Sequence, residues 1–405
     1  MTRAVIIGTG PAGITAAQTL RELDPSISVV ALSAEPYAPY SPAAMADHFL
    51  TGRTDTLYWK GTDIATRLGI DERREAVVET VDTDHHEIVL VSGERIGYDG
   101  LIIASGSRLH SPLQGADLPG VLDFKSLRMA EELIARVRHG DARSAVIVGH
   151  GLIGIELSLL LSDLGVDVTV IGRRSWIMPR VLDPMTSSIA EHELTSRGVT
   201  LELGVEASAF IGSPRVHGVE LVDGRTITGD LIVAATGVKP HVEFLTGTNV
   251  TAVWGVHVDG HLRTSVPDVF AAGDVAEAAD WMTGERYVHA IFPNAVNQAR
   301  IAAANLLGAD ITYDGAESMN SLKHLGIPIV AMGTIDKPDD ILRWQSGSTL
   351  RSVYLRDGRI VGVQLAGDIR GAGVYRSLML RRCDVRRYAQ HLVEPRFGVA
   401  DQVFA

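Results

Sequence analysis

Gly8-Thr9-Gly10-Pro11-Ala12-Gly13 and Gly149-His150-Gly151-Leu152-Ile153-Gly154 are two glycine fingerprints about 140 residues apart, each with the spacing that a bound pyrophosphate requires. The first glycine makes a tight turn, and the second lets backbone N–H groups approach the phosphates. The third allows close helix-on-strand packing at the positive end of a helix. Two such sites in one chain point to electron transfer between two dinucleotides. The residues that follow each site differ in charge. Glu35, 22 residues beyond Gly13, is the carboxylate available to hold ribose hydroxyls, an exposed loop glutamate being the plain alternative. The second half reads Ile171-Gly172-Arg173-Arg174, with no carboxylate and two arginines suited to a 2′-phosphate. That pair favours NADPH over NADH at the second site, with NADH as the alternative.

Other chemistries are narrowed by what the chain lacks. Cys383 is the only cysteine, which excludes internal disulfides and Cys-rich iron or zinc sites. His85-His86 and His289 have no ligand spacing, so no metal is expected. Nothing resembles a hydrolase triad or a phosphate-transfer loop.

The elements that must position the glycines are legible. The β-rich runs Ala4-Val5-Ile6-Ile7 and Ala145-Val146-Ile147-Val148 precede the fingerprints, and helical runs follow from Ile14 and Ile155. A strand then comes in each half (Val29-Val30-Ala31-Leu32 and Val168-Thr169-Val170-Ile171). Later, each half has a buried strand ending in a small-residue turn: Leu101-Ile102-Ile103-Ala104-Ser105-Gly106 and Leu231-Ile232-Val233-Ala234-Ala235-Thr236-Gly237. Continuous apolar strands of this kind suit parallel sheets covered on both faces. The expected fold is α/β, with two doubly wound, Rossmann-like dinucleotide-binding domains. From about residue 318 the pattern changes: a hairpin turning at Asp357-Gly358, then a helix with Val374, Tyr375, Leu378 and Met379 on one face, predicts a small C-terminal α+β domain.

At 405 residues the chain has room for two or three domains, and 46% hydrophobic content is ample for their cores. No apolar stretch is long enough to cross a bilayer and the first strand begins at residue 4, so a soluble, cytoplasmic protein is expected. The net charge of −12 argues against nucleic acid as a partner. Charge is uneven, however: residues 341–405 hold eleven arginines against five carboxylates, leaving −18 on the remainder. A basic end on an acidic protein is a candidate docking surface, with a solvated arginine-rich face as the alternative.

Five segments in order carry a resemblance. They are the first fingerprint, Tyr98-Asp99-Gly100-Leu101-Ile102-Ile103-Ala104-Ser105-Gly106-Ser107, the second fingerprint with Glu156, Ala234-Ala235-Thr236-Gly237-Val238-Lys239-Pro240, and Val266-Pro267-Asp268-Val269-Phe270-Ala271-Ala272-Gly273-Asp274. With them the chain resembles the flavoprotein pyridine-nucleotide reductases that share the glutathione-reductase fold. The resemblance implies FAD in the first site and NADPH or NADH in the second. It implies that Asp274, ending a strand and beginning a small-residue helix, accepts a hydrogen bond from a flavin ribityl hydroxyl. Gly273, Ala104, Ser105 and Gly106 then belong to the first site, and Ala235, Thr236 and Gly237 to the second. Glu156 resembles the family glutamate beside the nicotinamide and flavin rings. Phe292-Pro293-Asn294-Ala295, expected just before a helix, borders the flavin by the same resemblance.

These assignments imply a discontinuous FAD domain, 1–112 and 241–317, an inserted NAD(P)-binding domain, 113–240, and a C-terminal interface domain, 318–405. The reaction implied is hydride transfer from nicotinamide to flavin, assisted mainly by orienting the two rings. Disulfide reductases of this fold carry a Cys-x4-Cys where this chain reads Tyr40-Ser41-Pro42-Ala43-Ala44-Met45-Ala46-Asp47, without a thiol. Cys383, far away, is expected to be a buried small hydrophobe. The branch resembled is therefore that of ferredoxin and rubredoxin reductases, which pass electrons singly to an iron–sulfur protein. The Lys of their Pro-Leu-Ser-Lys segment is missing here, and Met319-Asn320-Ser321-Leu322-Lys323 is closer to the flavin modules of nitrite reductase. Arg376, Arg381, Arg382, Arg386 and Arg387 are the candidates for steering an acidic ferredoxin, and a homodimer is compatible with the resemblance. The alternatives are an NAD(P)H oxidase or small-acceptor reductase, and a redox-sensing flavoprotein.

Overall fold

Strands that are apolar on both faces need cover on both sides. In the computed structural model, which describes residues 2–397, each fingerprint strand lies in the middle of a five-stranded parallel sheet. The chain divides into two compact units. One comprises Met1–Leu109, Lys125–Arg128 and Val238–Glu317; the other comprises His110–Phe124, Met129–Gly237 and Ser318–Ala405.

In the first unit the sheet order is Val269–Ala271, Gly100–Ile103, Arg3–Ile7, Ser28–Leu32, Asp71–Arg73. The chain leaves Arg3–Ile7 toward one neighbour and returns later on its other side. Such a reversal opens a crevice at the carboxyl ends of the strands, where folds of this kind bind ligands. The fingerprint helix Pro11–Leu23 packs on the helix Phe292–Leu306 through small buried residues, among them Ala16, Ala17, Ala299 and Ala302. Small side chains there let the two backbones approach.

The second unit repeats the plan with Thr200–Leu203, Asp167–Gly172, Ser144–Val148, Leu231–Ala234 and Val121–Leu122, all parallel. Its fingerprint helix is Leu152–Asp163. The same unit contains an antiparallel sheet ordered Met319–Leu322, Ile329–Gly333, Arg359–Ala366, Thr349–Arg356, Asp340–Ser346. The Asp357-Gly358 turn joins its two longest strands with φ of 51° and 72°, the paired left-handed geometry of a tight hairpin. The helix Ala372–Leu380 buries Val374, Tyr375, Leu378 and Met379, as its periodicity predicts. Among the described residues no helix is long and apolar enough to cross a membrane.

Several local expectations are corrected. Asp274 does not begin a helix: it sits in a turn that leads into the strand Ala276–Ala279, which pairs with Val256–His257 and Arg286–Val288. Pairing on both sides overrides the helical preference of its alanines. Phe292 and Pro293 open the helix Phe292–Leu306 rather than precede it. Cys383 is half-buried in the turn after Ala372–Leu380, not sequestered in a core.

Candidate functional site

The two fingerprints build matching cradles. Gly8 and Gly149 have φ of 104° and 120°, a region that L side chains rarely enter. A Cβ on either would lie 2.2 Å from a carbonyl oxygen, of Ala104 or of Ala235. Those two residues directly follow the neighbouring strands Gly100–Ile103 and Leu231–Ala234 and are held there by backbone hydrogen bonds, Ala104 N to Ile7 O and Ala235 N to Val148 O. Gly13 and Gly154 serve close packing: a Cβ would meet the carbonyl oxygen of Gly8 at 1.8 Å and of Gly149 at 2.1 Å.

Gly10 and Gly151 differ from the others. Each is the residue before its helix and has ordinary negative φ, and a Cβ on it would meet nothing within 4 Å. Neither helix has a side-chain cap at this end. The first N–H groups of Pro11–Leu23 beyond the proline, Ala12 and Gly13, and those of Leu152, Ile153 and Gly154 therefore lack the usual side-chain acceptor. An anion fits both places, since open space, free N–H groups and the positive end of a helix dipole coincide.

In the first unit the surroundings add carboxylates. Glu35, half-buried beyond Ser28–Leu32, accepts a hydrogen bond from the Tyr40 hydroxyl at 2.8 Å. Gly273, with φ of 82°, packs against Ala12, where a Cβ would lie 2.9 Å from the alanine methyl, and its N–H donates to Gln298 Oε1 at 2.8 Å. This contact brings Asp274 to the fingerprint helix. Asp274 Oδ2 accepts from Ser107 Oγ at 3.0 Å and from Lys125 Nζ at 2.8 Å. Ser105 Oγ donates to His241 O at 2.8 Å, fixing the turn through Gly106. The sequence gives Tyr40 and Ser107 no role beyond membership of longer segments, Ser107 directly following the Ala104-Ser105-Gly106 turn, and Lys125 carries no signal in it.

In the second unit, Arg173 and Arg174 are exposed at the end of Asp167–Gly172, and neither makes an ion pair among the described residues. Thr236 Oγ1 donates to His110 O at 2.8 Å beside the exposed Gly237. Glu156 is half-buried on Leu152–Asp163; burial raises its carboxyl to about 7, against a smaller opposing pull from the Lys323 ammonium. It is therefore a group that can hold or release a proton near neutral pH.

The histidines behave as structural groups. His289 is buried in an Asp280 pair, Nε2 to Oδ2 3.1 Å, and His85 is an exposed partner of Asp82. Among the described residues no cluster of histidine, cysteine and carboxylates could hold a metal.

One dinucleotide cradle in each unit, each at the switch point of a parallel sheet, defines a two-dinucleotide oxidoreductase. Residues 2–302 match the pyridine nucleotide-disulphide oxidoreductases, and the chain belongs to that family. It is an NAD(P)H-dependent flavoprotein reductase that uses FAD. It is similar to an NADH oxidase of Methanocaldococcus jannaschii, 27% identical and covering 91% of this chain and 88% of that one. An assimilatory nitrate reductase electron transfer subunit of Bacillus subtilis is also 27% identical over 97% of this chain, which spans only 51% of that protein. Among solved structures, a ferredoxin reductase from Rhodopseudomonas palustris superposes with a TM-score of 0.83, 27% identity and 91% coverage of both chains.

Proposed function

We propose that the chain takes electrons from NADPH and delivers them through FAD to a small iron–sulfur protein of the ferredoxin type. The observation that carries this reading is two uncapped glycine cradles in a chain whose single thiol, Cys383, belongs to neither. Without a disulfide relay, electrons leave from the flavin itself. FAD, when bound, accepts two electrons at once from the nicotinamide and can release them singly. The protein's share is to hold and orient.

The units divide that work. Residues 1–112 and 241–317 hold FAD, 113–240 hold the nicotinamide dinucleotide, and 318–405 supply the interface. The N–H groups after Gly10 bind the flavin pyrophosphate, Glu35 holds its ribose, and Asp274, oriented by Ser107 and Lys125, takes a ribityl hydroxyl. The turn Ala104-Ser105-Gly106 closes that cradle, and Ala235-Thr236-Gly237 closes the second. Arg173 and Arg174 hold the 2′-phosphate. The test is anaerobic titration of the flavin absorbance with NADPH and, separately, NADH. Wild type should bleach with NADPH at about tenfold lower concentration. With both arginines replaced by alanine that advantage should vanish, since each charge-assisted hydrogen bond is worth about 1.5–3 kcal/mol. A tenfold preference of wild type for NADH would overturn the NADPH assignment. Adding a ferredoxin to the reduced protein should restore the colour faster than air does. Equal rates would favour an oxidase, the activity named for the Methanocaldococcus jannaschii relative.

Glu156 positions the nicotinamide. Its carboxyl, raised to about 7, is neutral below that pH and charged above it. The rate of flavin reduction should therefore change across a midpoint near 7 in wild type and lose that midpoint in Glu156→Gln. Lys323→Met removes the pull that lowers the carboxyl, so the midpoint should move to higher pH. Stopped-flow reduction at saturating NADPH from pH 5 to 9 measures both.

The five candidate arginines are exposed, but not equivalent. Arg386 donates to Asp357 O at 2.9 Å and lies across the Asp357-Gly358 turn, so it is part of the hairpin. Arg381 and Arg382, at the end of Ala372–Leu380, are the ones we assign to the acceptor. Reversing both to glutamate should slow turnover with a ferredoxin about tenfold at low salt, with the gap closing as ionic strength rises. Reduction of the flavin by NADPH should not change. A ferredoxin rate unaffected across the salt series would remove these residues from the docking surface.

A further inference from the structure

The residue at the end of the second sheet strand decides which ribose a dinucleotide fold accepts, and a carboxylate there holds free hydroxyls. In the second unit that residue is Gly172. It is buried, and its φ lies outside the left-handed region, so backbone conformation does not call for glycine. Space does. A Cβ on Gly172 would lie 2.6 Å from His150 Cγ and 2.8 Å from His150 Cδ2, with Leu203 Cδ2 at 2.9 Å.

His150 is the middle residue of the second Gly-x-Gly. Its ring lies over Gly172, and its Nε2 is buried with no hydrogen-bond partner among the described residues. Burial, and then the charges of Arg173 and Arg174, keep the ring toward its neutral form. It acts as a packing wedge.

The first unit is an internal control. Ile7 pairs with Leu32 as Val148 pairs with Ile171, so Ser33 occupies the register of Gly172 and Thr9 that of His150. There a smaller residue, Thr9, sits between the glycines and the strand end carries a side chain, Ser33, while the carboxylate Glu35 stands two residues further on, in the register of Arg174. The unit with the bulky ring is the one that has lost the side chain opposite.

We propose that the His150 ring occupies the space a ribose-binding carboxylate at position 172 would need, so that the His150–Gly172 pair, together with the arginines, sets the choice for a 2′-phosphorylated nucleotide. This rests on the NADPH reading above. It makes the two positions coupled: a carboxylate at 172 works only when the ring is removed.

The probes are 2′,5′-ADP and 5′-AMP, the adenosine halves of the two nucleotides, titrated into holoenzyme by calorimetry. Gly172→Glu alone should weaken both, because the ring and the new side chain collide. His150→Thr/Gly172→Glu should bind 5′-AMP about tenfold more tightly than the single variant does. If Gly172→Glu alone binds 5′-AMP as well as the double variant, the coupling is absent and the proposal falls. Steric coupling is read separately from specificity by melting: Gly172→Ala should lower Tm and His150→Thr/Gly172→Ala should recover most of the loss, the Leu203 methyl at 2.9 Å being the end of a flexible side chain that can shift. A Gly172→Ala protein that melts like wild type would also overturn the proposal. Wild type that prefers 5′-AMP would instead overturn the NADPH reading, and with it the role in choosing the nucleotide, even if the melting coupling holds.

Discussion

Gly151→Val should yield a folded, yellow protein whose colour no longer bleaches with NADPH, whereas Gly10→Val should yield a folded protein without colour. The expectation follows from the middle glycine of each fingerprint, beside which a Cβ meets nothing within 4 Å. Nothing in the protein resists a side chain there, and both residues have φ that valine tolerates, −80° and −64°. The added methyls instead fill the space through which a pyrophosphate reaches the N–H groups of an uncapped helix. Losing two such charge-assisted hydrogen bonds, about 1.5–3 kcal/mol each, weakens binding by about 100-fold or more. Gly13→Ala and Gly154→Ala should fail differently. Their Cβ atoms would lie 1.8 Å and 2.1 Å from backbone carbonyls, so helix and strand must separate and the protein melts earlier, by about 1–3 kcal/mol of stability. Absorbance at the flavin band, anaerobic NADPH titration and thermal melting distinguish the two patterns. Wild-type bleaching by Gly151→Val would remove the second cradle from nucleotide binding.

What could be read from the sequence was local. A strand, a glycine turn and a helix complete a cradle within about 20 residues; its first and third glycines are recognisable because a side chain there would strike backbone, and the middle one because the space beside it is kept for a ligand. The Asp357-Gly358 hairpin is legible for the same reason, since both residues must take positive φ. Asp274 was found through its neighbours in sequence but given the wrong element, because the small residues around it favour a helix until two other strands pair with the segment that follows. Its supports, Lys125 and Ser107, lie 149 and 167 residues away, and no periodicity reports contacts at that distance. Gly172 shows the same limit. Its sequence announces only a missing carboxylate, and the reason, a ring from 22 residues earlier, appears only when the strands are laid side by side.

The largest stability effect should come from outside both cradles. Asp183 is 5% exposed and caps the helix Pro184–Ser196, with Oδ1 accepting from Thr186 N at 2.8 Å. Its Oδ2 accepts from Tyr354 Oη at 2.7 Å and Arg343 Nη2 at 2.6 Å, and its own N–H donates to Gln364 Oε1 at 3.2 Å. One residue thus ties the parallel-sheet half of its unit to the antiparallel sheet, its carboxylate to Tyr354 and Arg343 and its backbone N–H to Gln364. Asp183→Ala leaves the buried Tyr354 hydroxyl without an acceptor and the helix without its cap, together about 2–4 kcal/mol, whereas Arg343, more than a third exposed, adds little because solvent screens its charge. Tyr354→Phe deletes a single neutral donor and should cost about 1–2 kcal/mol. The pH dependence identifies the charge. Burial pushes the carboxyl up, but the Thr186 N–H, the Tyr354 hydroxyl and Arg343 outweigh it and hold it below the ordinary carboxylate range. A depressed folded pKa gives stability that is complete above the unfolded value and is lost as pH falls through the folded one. Urea melts should therefore show wild type more stable than Asp183→Asn at pH 7, with the difference shrinking only below the usual carboxylate pKa, about 3.9. A difference that stays constant into acid would mean that shape and hydrogen bonding, rather than the charge, hold the two sheets of this unit together.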